Sequence, residues 1–191
     1  MNVFVLCTGR CGSMTFAKAC EYIDNYTSAH ESNNRWLHEV KHPYRGFSYG
    51  ENHIEIDNRL SWFLGTLDKA YGDRAFYVHL LRRREEVAES LMGRGRWSIL
   101  YSFSHGILQH YDEAERLSDQ ERYRIGLQYW DTVNDNIELF LRNKSHTITL
   151  WLHDIKDPFR SFWEGIGAQG DIEAAVAEWD TRHNVTTRAG A

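Results

Sequence analysis

The apolar positions of this chain fall into short continuous runs separated by longer stretches of helical periodicity. Val3 to Cys7 is an unbroken apolar run, the pattern of a strand buried on both faces of a parallel sheet. Met14 to Ile23 is helical in composition, Tyr26 to Ala29 forms a short candidate strand, and Ser32 to Asn52 reads as a polar, aromatic-rich loop. Asn58 to Tyr71 then reads as a helix, Ala75 to Leu81 as a second buried strand and Glu85 to Met92 as the helix after it. Ile125, Tyr129, Val133, Ile137 and Leu141 recur at one helical face and predict a long amphipathic helix. Thr147 to Leu152 predicts a further strand, and Pro158 to Glu178 a helical tail. Strands alternating with helices predict an α/β fold, a central parallel sheet with helices on both faces, whose ligand binds at the carboxyl ends of the strands.

Composition narrows the class. A chain of 191 residues, 42% hydrophobic and with two prolines, fits a single domain over residues 1–191. A net charge of −5 argues against a general nucleic-acid partner. Neither a membrane-spanning run nor an export signal stands out, so a cytoplasmic protein with no membrane partner is the expectation. Cys7, Cys11 and Cys20, an odd number in one segment, suit reduced thiols better than a disulfide framework.

Two segments carry chemistry. The first, FVLCTGRCGSMT ending at Thr15, places a glycine-flanked arginine between a strand and a helix start. The first turn of a helix offers unpaired N–H groups at the positive end of its dipole, which seats a phosphate-like anion. Gly9 and Gly12 let the backbone curl close to anion oxygens, Arg10 adds a fork of donors, and Ser13 and Thr15 add hydroxyls. It is not the standard nucleotide-triphosphate loop, because two residues separate its glycines and no lysine follows. In the second segment, HLLRRREEVAESL, Arg82 to Arg84 emerge at the end of a buried strand and Ser90 lies on the following helix. That pair suits a second phosphate, although such a run is also what a solvated charge ladder with Glu85, Glu86 and Glu89 looks like.

With both segments in view, the sequence resembles the sulfotransferases that use 3′-phosphoadenosine 5′-phosphosulfate (PAPS). Arg10-Cys11-Gly12-Ser13 resembles the family's loop for the 5′-phosphosulfate, and Arg82 with Ser90 has the spacing of its arginine and serine for the 3′-phosphate. Asp157 to Asp171 and His183-Asn184 are similar to later family segments. Arg83 and Arg84 stand where the family carries aspartate-proline, and Met14 where a hydroxyl is common. The resemblance implies a nucleotide-kinase-like P-loop fold and in-line transfer of a sulfuryl group from PAPS to a hydroxyl or amine of a small-molecule or carbohydrate acceptor, leaving PAP. It implies cosubstrate contacts from Gly9, Arg10, Cys11, Gly12, Ser13, Met14, Thr15, Arg82 and Ser90. Arg10 would stabilise the leaving phosphate. Acceptor deprotonation needs a base, and His30 and Glu31 follow the second candidate strand onto the same sheet edge. The resemblance implies a glutamate there, which favours Glu31, with His30 second. Acceptor contacts would come from Trp36, Tyr44, Phe47, Tyr49, Trp97 and Tyr101, or for an acidic acceptor from Arg35, Arg45, Arg94 and Arg96.

Rival readings are weaker. His38-Glu39-Val40-Lys41-His42 matches the zinc-hydrolase pattern, with Glu51, His53 or Glu55 as a third ligand, but Pro43 follows the second histidine at once. A P-loop small-molecule kinase using Mg-ATP lacks its lysine, and Asp57 and Asp154 are only nominal magnesium ligands. A cysteine phosphatase lacks its arginine six positions after each cysteine. A nucleotide-binding module without catalysis is the non-enzyme alternative.

Overall fold

Strand β1 (Val3–Leu6) is buried along its whole length because its side chains alternate between two cores. Val3 and Val5 join one cluster, and Phe4 and Leu6 the other. The same alternation recurs in β4 (Phe76–Leu81), where Phe76, Val78 and Leu80 oppose Tyr77. In this computed structural model, which describes residues 1–32, 48–94, 98–110, 117–181 and 183, five strands form one all-parallel sheet in the order β2-β3-β1-β4-β5. The others are β2 (Thr27–His30), β3 (His53–Ile56) and β5 (Thr147–Trp151).

Helices cover both faces. On the Val3 face lie α1 (Ser13–Cys20), α6 (Lys156–Gly165) and α7 (Ile172–Ala177). The Phe4 face carries α2 (Leu64–Tyr71), α3 (Arg84–Met92), α4 (Ile99–Ser102), which runs into a π-helical turn Phe103–Ile107, and α5 (Asp119–Leu141). The chain leaves β1 toward one side of the sheet and after β3 crosses to the other, so the strand order reverses at β1. That reversal opens the crevice where such sheets bind ligands. None of the described helices is long and apolar enough to cross a membrane.

Several expected elements differ in extent. Strand β3 falls between the expected Ser32–Asn52 loop and the helix expected from Asn58, where the sequence pattern predicts no element, since only Ile54 and Ile56 of its four residues are apolar. The Asn58–Tyr71 helix is two pieces, a 3-10 turn (Asn58–Trp62) capped by Asp57 and then α2, broken at Phe63. Helix α5 begins well before Ile125 because Ser118 and Glu121 form a reciprocal capping box. The expected Pro158–Glu178 helix is interrupted between α6 and α7, where Gly170 pairs with Ile23. Helix α6 ends at Gly165, with Gly167 turning at φ +65°, and a Cβ on Gly170 would lie 2.1 Å from the Tyr22 carbonyl, so only glycine fits where the chain then passes Tyr22.

Candidate functional site

The segment from Cys7 to Gly12 turns sharply between β1 and α1, with φ of +74°, +57° and +91° at Gly9, Arg10 and Gly12. A left-handed arginine is uncommon, and such strain persists only where surroundings enforce it. The enforcement is visible: four successive carbonyls of the loop each accept a side-chain hydrogen bond. Ser61 Oγ donates to the Cys7 carbonyl (3.1 Å), Tyr129 Oη to Thr8 (2.7 Å), Thr8 Oγ1 to Gly9 (2.9 Å) and Arg82 Nη1 to Arg10 (3.1 Å). With these carbonyls occupied, the loop's electrostatics favour an anion. At Gly12 a Cβ would sit 2.7 Å from Leu152 Cδ1, so close packing as well as backbone angle selects glycine there. Gly12 caps α1 without a side-chain partner, and no acidic residue occupies its first turn.

Arg10 and Ser90, far apart in the chain, meet directly: Arg10 Nε donates to Ser90 Oγ at 2.9 Å. Arg82 bridges them to β4, with Nη1 on the Arg10 carbonyl and Nε on Glu86 Oε2 (2.8 Å). Trp130 Nε1 holds the Arg82 carbonyl at 3.1 Å. The arginine triplet is thereby divided, since Arg83 stands exposed before α3 and Arg84 pairs with Asp131 on α5. Burial, then the charges of Arg94 and Arg82, lower the pKa of Arg10. Cations that raise one another's energy are relieved by an anion between them.

On the other side of β1 the edge is acidic. His30 Nε2 lies 3.1 Å from Ser13 Oγ, so His30 is joined to the first residue of α1. Glu31 follows at φ +51°, its N–H donating to the Ile56 carbonyl (3.0 Å). Glu55 is fully buried and accepts from the Ser32 N–H (2.8 Å), Ser32 Oγ (2.5 Å) and His53 Nε2 (2.8 Å). Asp57, at the end of β3, is gripped by Arg59 through Nε (2.8 Å) and Nη2. The charge of Arg59 also interacts with Glu31 and Glu55.

Of the residues expected at the site, Gly9, Arg10, Gly12, Ser13, Arg82 and Ser90 lie together, with Met14 half-buried beside them. Cys11 and Thr15 are buried, which leaves them their backbone N–H groups. All three cysteines are free, and hydrogen bonding to Cys11 followed by burial pushes the Cys7 thiol up, so Cys7 carries no thiolate charge to oppose an anion. Tyr49 packs between His53 and Phe4, and Tyr101 stacks on His105. His38 to His42, Trp36, Tyr44, Phe47, Trp97, Arg35, Arg45, Arg96 and Asn184 lie outside the described residues. Among the described residues no group of three His, Cys, Asp or Glu could hold a metal. Ser61, Tyr129, Glu55 and Ser32 were not singled out as supports from the sequence. Tyr129 reads as one more apolar step of α5, and only the loop it holds shows its second use.

Compared with known proteins, the chain matches no family model, and no curated protein is significantly similar to it.

Proposed function

We propose that the protein is a PAPS-dependent sulfotransferase with a nucleotide-kinase-like P-loop fold. The observation that carries the reading is the Arg10–Ser90 hydrogen bond, together with the Arg82 contact to the Arg10 carbonyl. Two anion-binding segments found separately in the sequence form one polar cluster beside the crevice at β1. The donors fit a ligand with two anionic groups, one over the α1 N-terminus and Arg10, the other at Arg82 and Ser90.

In the proposed reaction the acceptor oxygen or nitrogen attacks sulfur, the bond from sulfur to the 5′-phosphate oxygen breaks, and PAP leaves with the electron pair. Arg10 and the Gly12–Met14 amides stabilise charge on the leaving and equatorial oxygens. Glu31 takes the acceptor's proton. Strand β3 separates β2 from β1, so their ends stand about 10 Å apart, room for an acceptor group and the transferring sulfuryl between Glu31 and Arg10. His30, bound to Ser13, belongs with the anion-holding wall, which leaves Glu31 as the base.

Calorimetry and thermal shift with PAP, Mg-ATP and PAP plus magnesium test this. Tight PAP binding without magnesium, lost in Arg10→Ala, is the expected result; stabilisation by Mg-ATP alone overturns it. One observation favours a second reading, a magnesium-dependent kinase: Asp57 directly follows β3, beside β1, where a magnesium ligand would stand. Its pairing with Arg59 weighs against that use.

A further inference from the structure

A hydrogen-bonded chain runs the length of β2 and β3. Thr27 Oγ1 lies 2.9 Å from His53 Nδ1, His53 Nε2 lies 2.8 Å from Glu55, and Glu55 receives the N–H and hydroxyl of Ser32. Thr27 and His53 begin their strands and Ser32 lies beyond the end of β2, so the chain spans from the amino edge of the sheet to the edge that carries Glu31. Fully burying a carboxylate within a sheet is costly unless its oxygens are bonded, and here both are. Glu55 Oε2 accepts a hydrogen bond from His53 Nε2–H, and His53 Nδ1 then accepts from the Thr27 hydroxyl; the tautomer is assigned from these partners.

The consequence falls on Glu31. Its left-handed backbone is pinned ahead by the Ile56 carbonyl and behind by the two Ser32 bonds to Glu55. We infer that Glu55 is a positioning residue that, through Ser32, holds Glu31 in the conformation from which it meets the acceptor; the inference rests on the sulfotransferase reading for the role of Glu31. Arg59 supplies the nearby positive charge that interacts with both Glu31 and Glu55, and His53 is the titratable neighbour on the strand itself.

The test compares Ser32→Ala, Ser32→Thr, Glu55→Gln and the Ser32→Ala/Glu55→Gln double variant with the unaltered protein. PAP affinity is read by calorimetry, PAP release from PAPS by kinetics across pH, and the Glu31 carboxylate by carbon-13 NMR titration. Expected are PAP affinities within about twofold of the unaltered protein and turnover lowered roughly 10- to 100-fold in Ser32→Ala and Glu55→Gln. The acid limb of the turnover profile and the Glu31 titration both move, Ser32→Thr restores turnover, and the double variant is no worse than the worse single one. Unchanged turnover and an unmoved Glu31 titration in Ser32→Ala overturn the inference. Should Glu55→Gln fail to fold, the exposed Ser32 variants carry the decision. If the unaltered protein neither binds PAP nor consumes PAPS, the sulfotransferase reading falls, and the Glu31 titration in Ser32→Ala still decides whether the clamp holds Glu31.

Discussion

On the β4 side of β1 stand Arg10 and Arg82, with the pKa of Arg10 lowered by burial and then by the charges of Arg94 and Arg82, and hydrogen bonds tie Arg10 to a hydroxyl and Arg82 to a carbonyl and Glu86. On the β3 side stand Glu31, Glu55 and Asp57, and two of these carboxylates are closed by nearby donors, Glu55 by Ser32 and His53, Asp57 by Arg59. On the proposed reading the gathered cations receive an anion, whereas Glu55 and Asp57, each closed by donors of the fold, fix the backbone around them. Glu31 is the carboxylate on the second side that its neighbours position. On the proposed reading, the division gives anion binding and proton removal to opposite flanks of a single strand.

The largest effects test that assignment. Glu31→Gln is expected to lower turnover roughly 100- to 10,000-fold with PAP affinity unchanged. Arg10→Ala is expected to lower it roughly 100- to 1,000-fold and to weaken PAP as well. Steady-state kinetics beside calorimetry would separate them, and equal loss of PAP affinity in both variants would break the comparison. Gly12→Ala strains a backbone at φ +91° and drives a methyl into Leu152, for an expected loss of about 1–3 kcal/mol of stability by chemical denaturation. Tyr129→Phe strips the Thr8 carbonyl of its donor, at a cost of about 1 kcal/mol and a measurable loss of PAP affinity. If stability falls while PAP binds as before, the occupied carbonyls do not shape the seat.

The two flanks differ also in how far the sequence discloses them. Gly9, Arg10, Gly12 and Arg82 stood out by local rules, glycine and a flanked arginine at a tight turn and arginine at a strand end, Ser90 by its place on the helix after Arg82, and their meeting follows from parallel neighbours β1 and β4. Strand β3 was not, although Ile54 and Ile56 alternate with His53 and Glu55 in the period of a strand. A buried glutamate argues against a strand until its partners are known, and Ser32 lies on another strand's end. The breaks at Phe63 and after Gly165 escaped for a related reason, since helical composition continues across them; at the second, Gly167 turns at φ +65° and Gly170 goes on to pair with Ile23.

The smallest expected effect asks whether the cationic flank rests on a scaffold as different from the acidic one as its surface is. Each flank has a histidine on a sheet strand. His53 is answered by the carboxylate of Glu55, while His79, in register with Leu6, is answered at 2.8 Å by the Asn134 amide, which carries no charge. Burial lowers the pKa of His79, so the folded protein prefers the neutral ring. The unfolded chain takes up a proton near the ordinary imidazole value of about 6.5, before the folded one does. The stability associated with neutral His79 is therefore complete above that value and is lost as pH falls below it toward the lowered folded value, at most about 1.4 kcal/mol per pH unit. Chemical denaturation at pH 7.5 and 5.5, taken as about one unit on either side of the imidazole range, should show a smaller acid loss in His79→Gln than in the unaltered protein, whatever its starting stability. Equal losses would mean that proton uptake elsewhere, not a neutral histidine beneath the arginines, governs the acid limit of the fold.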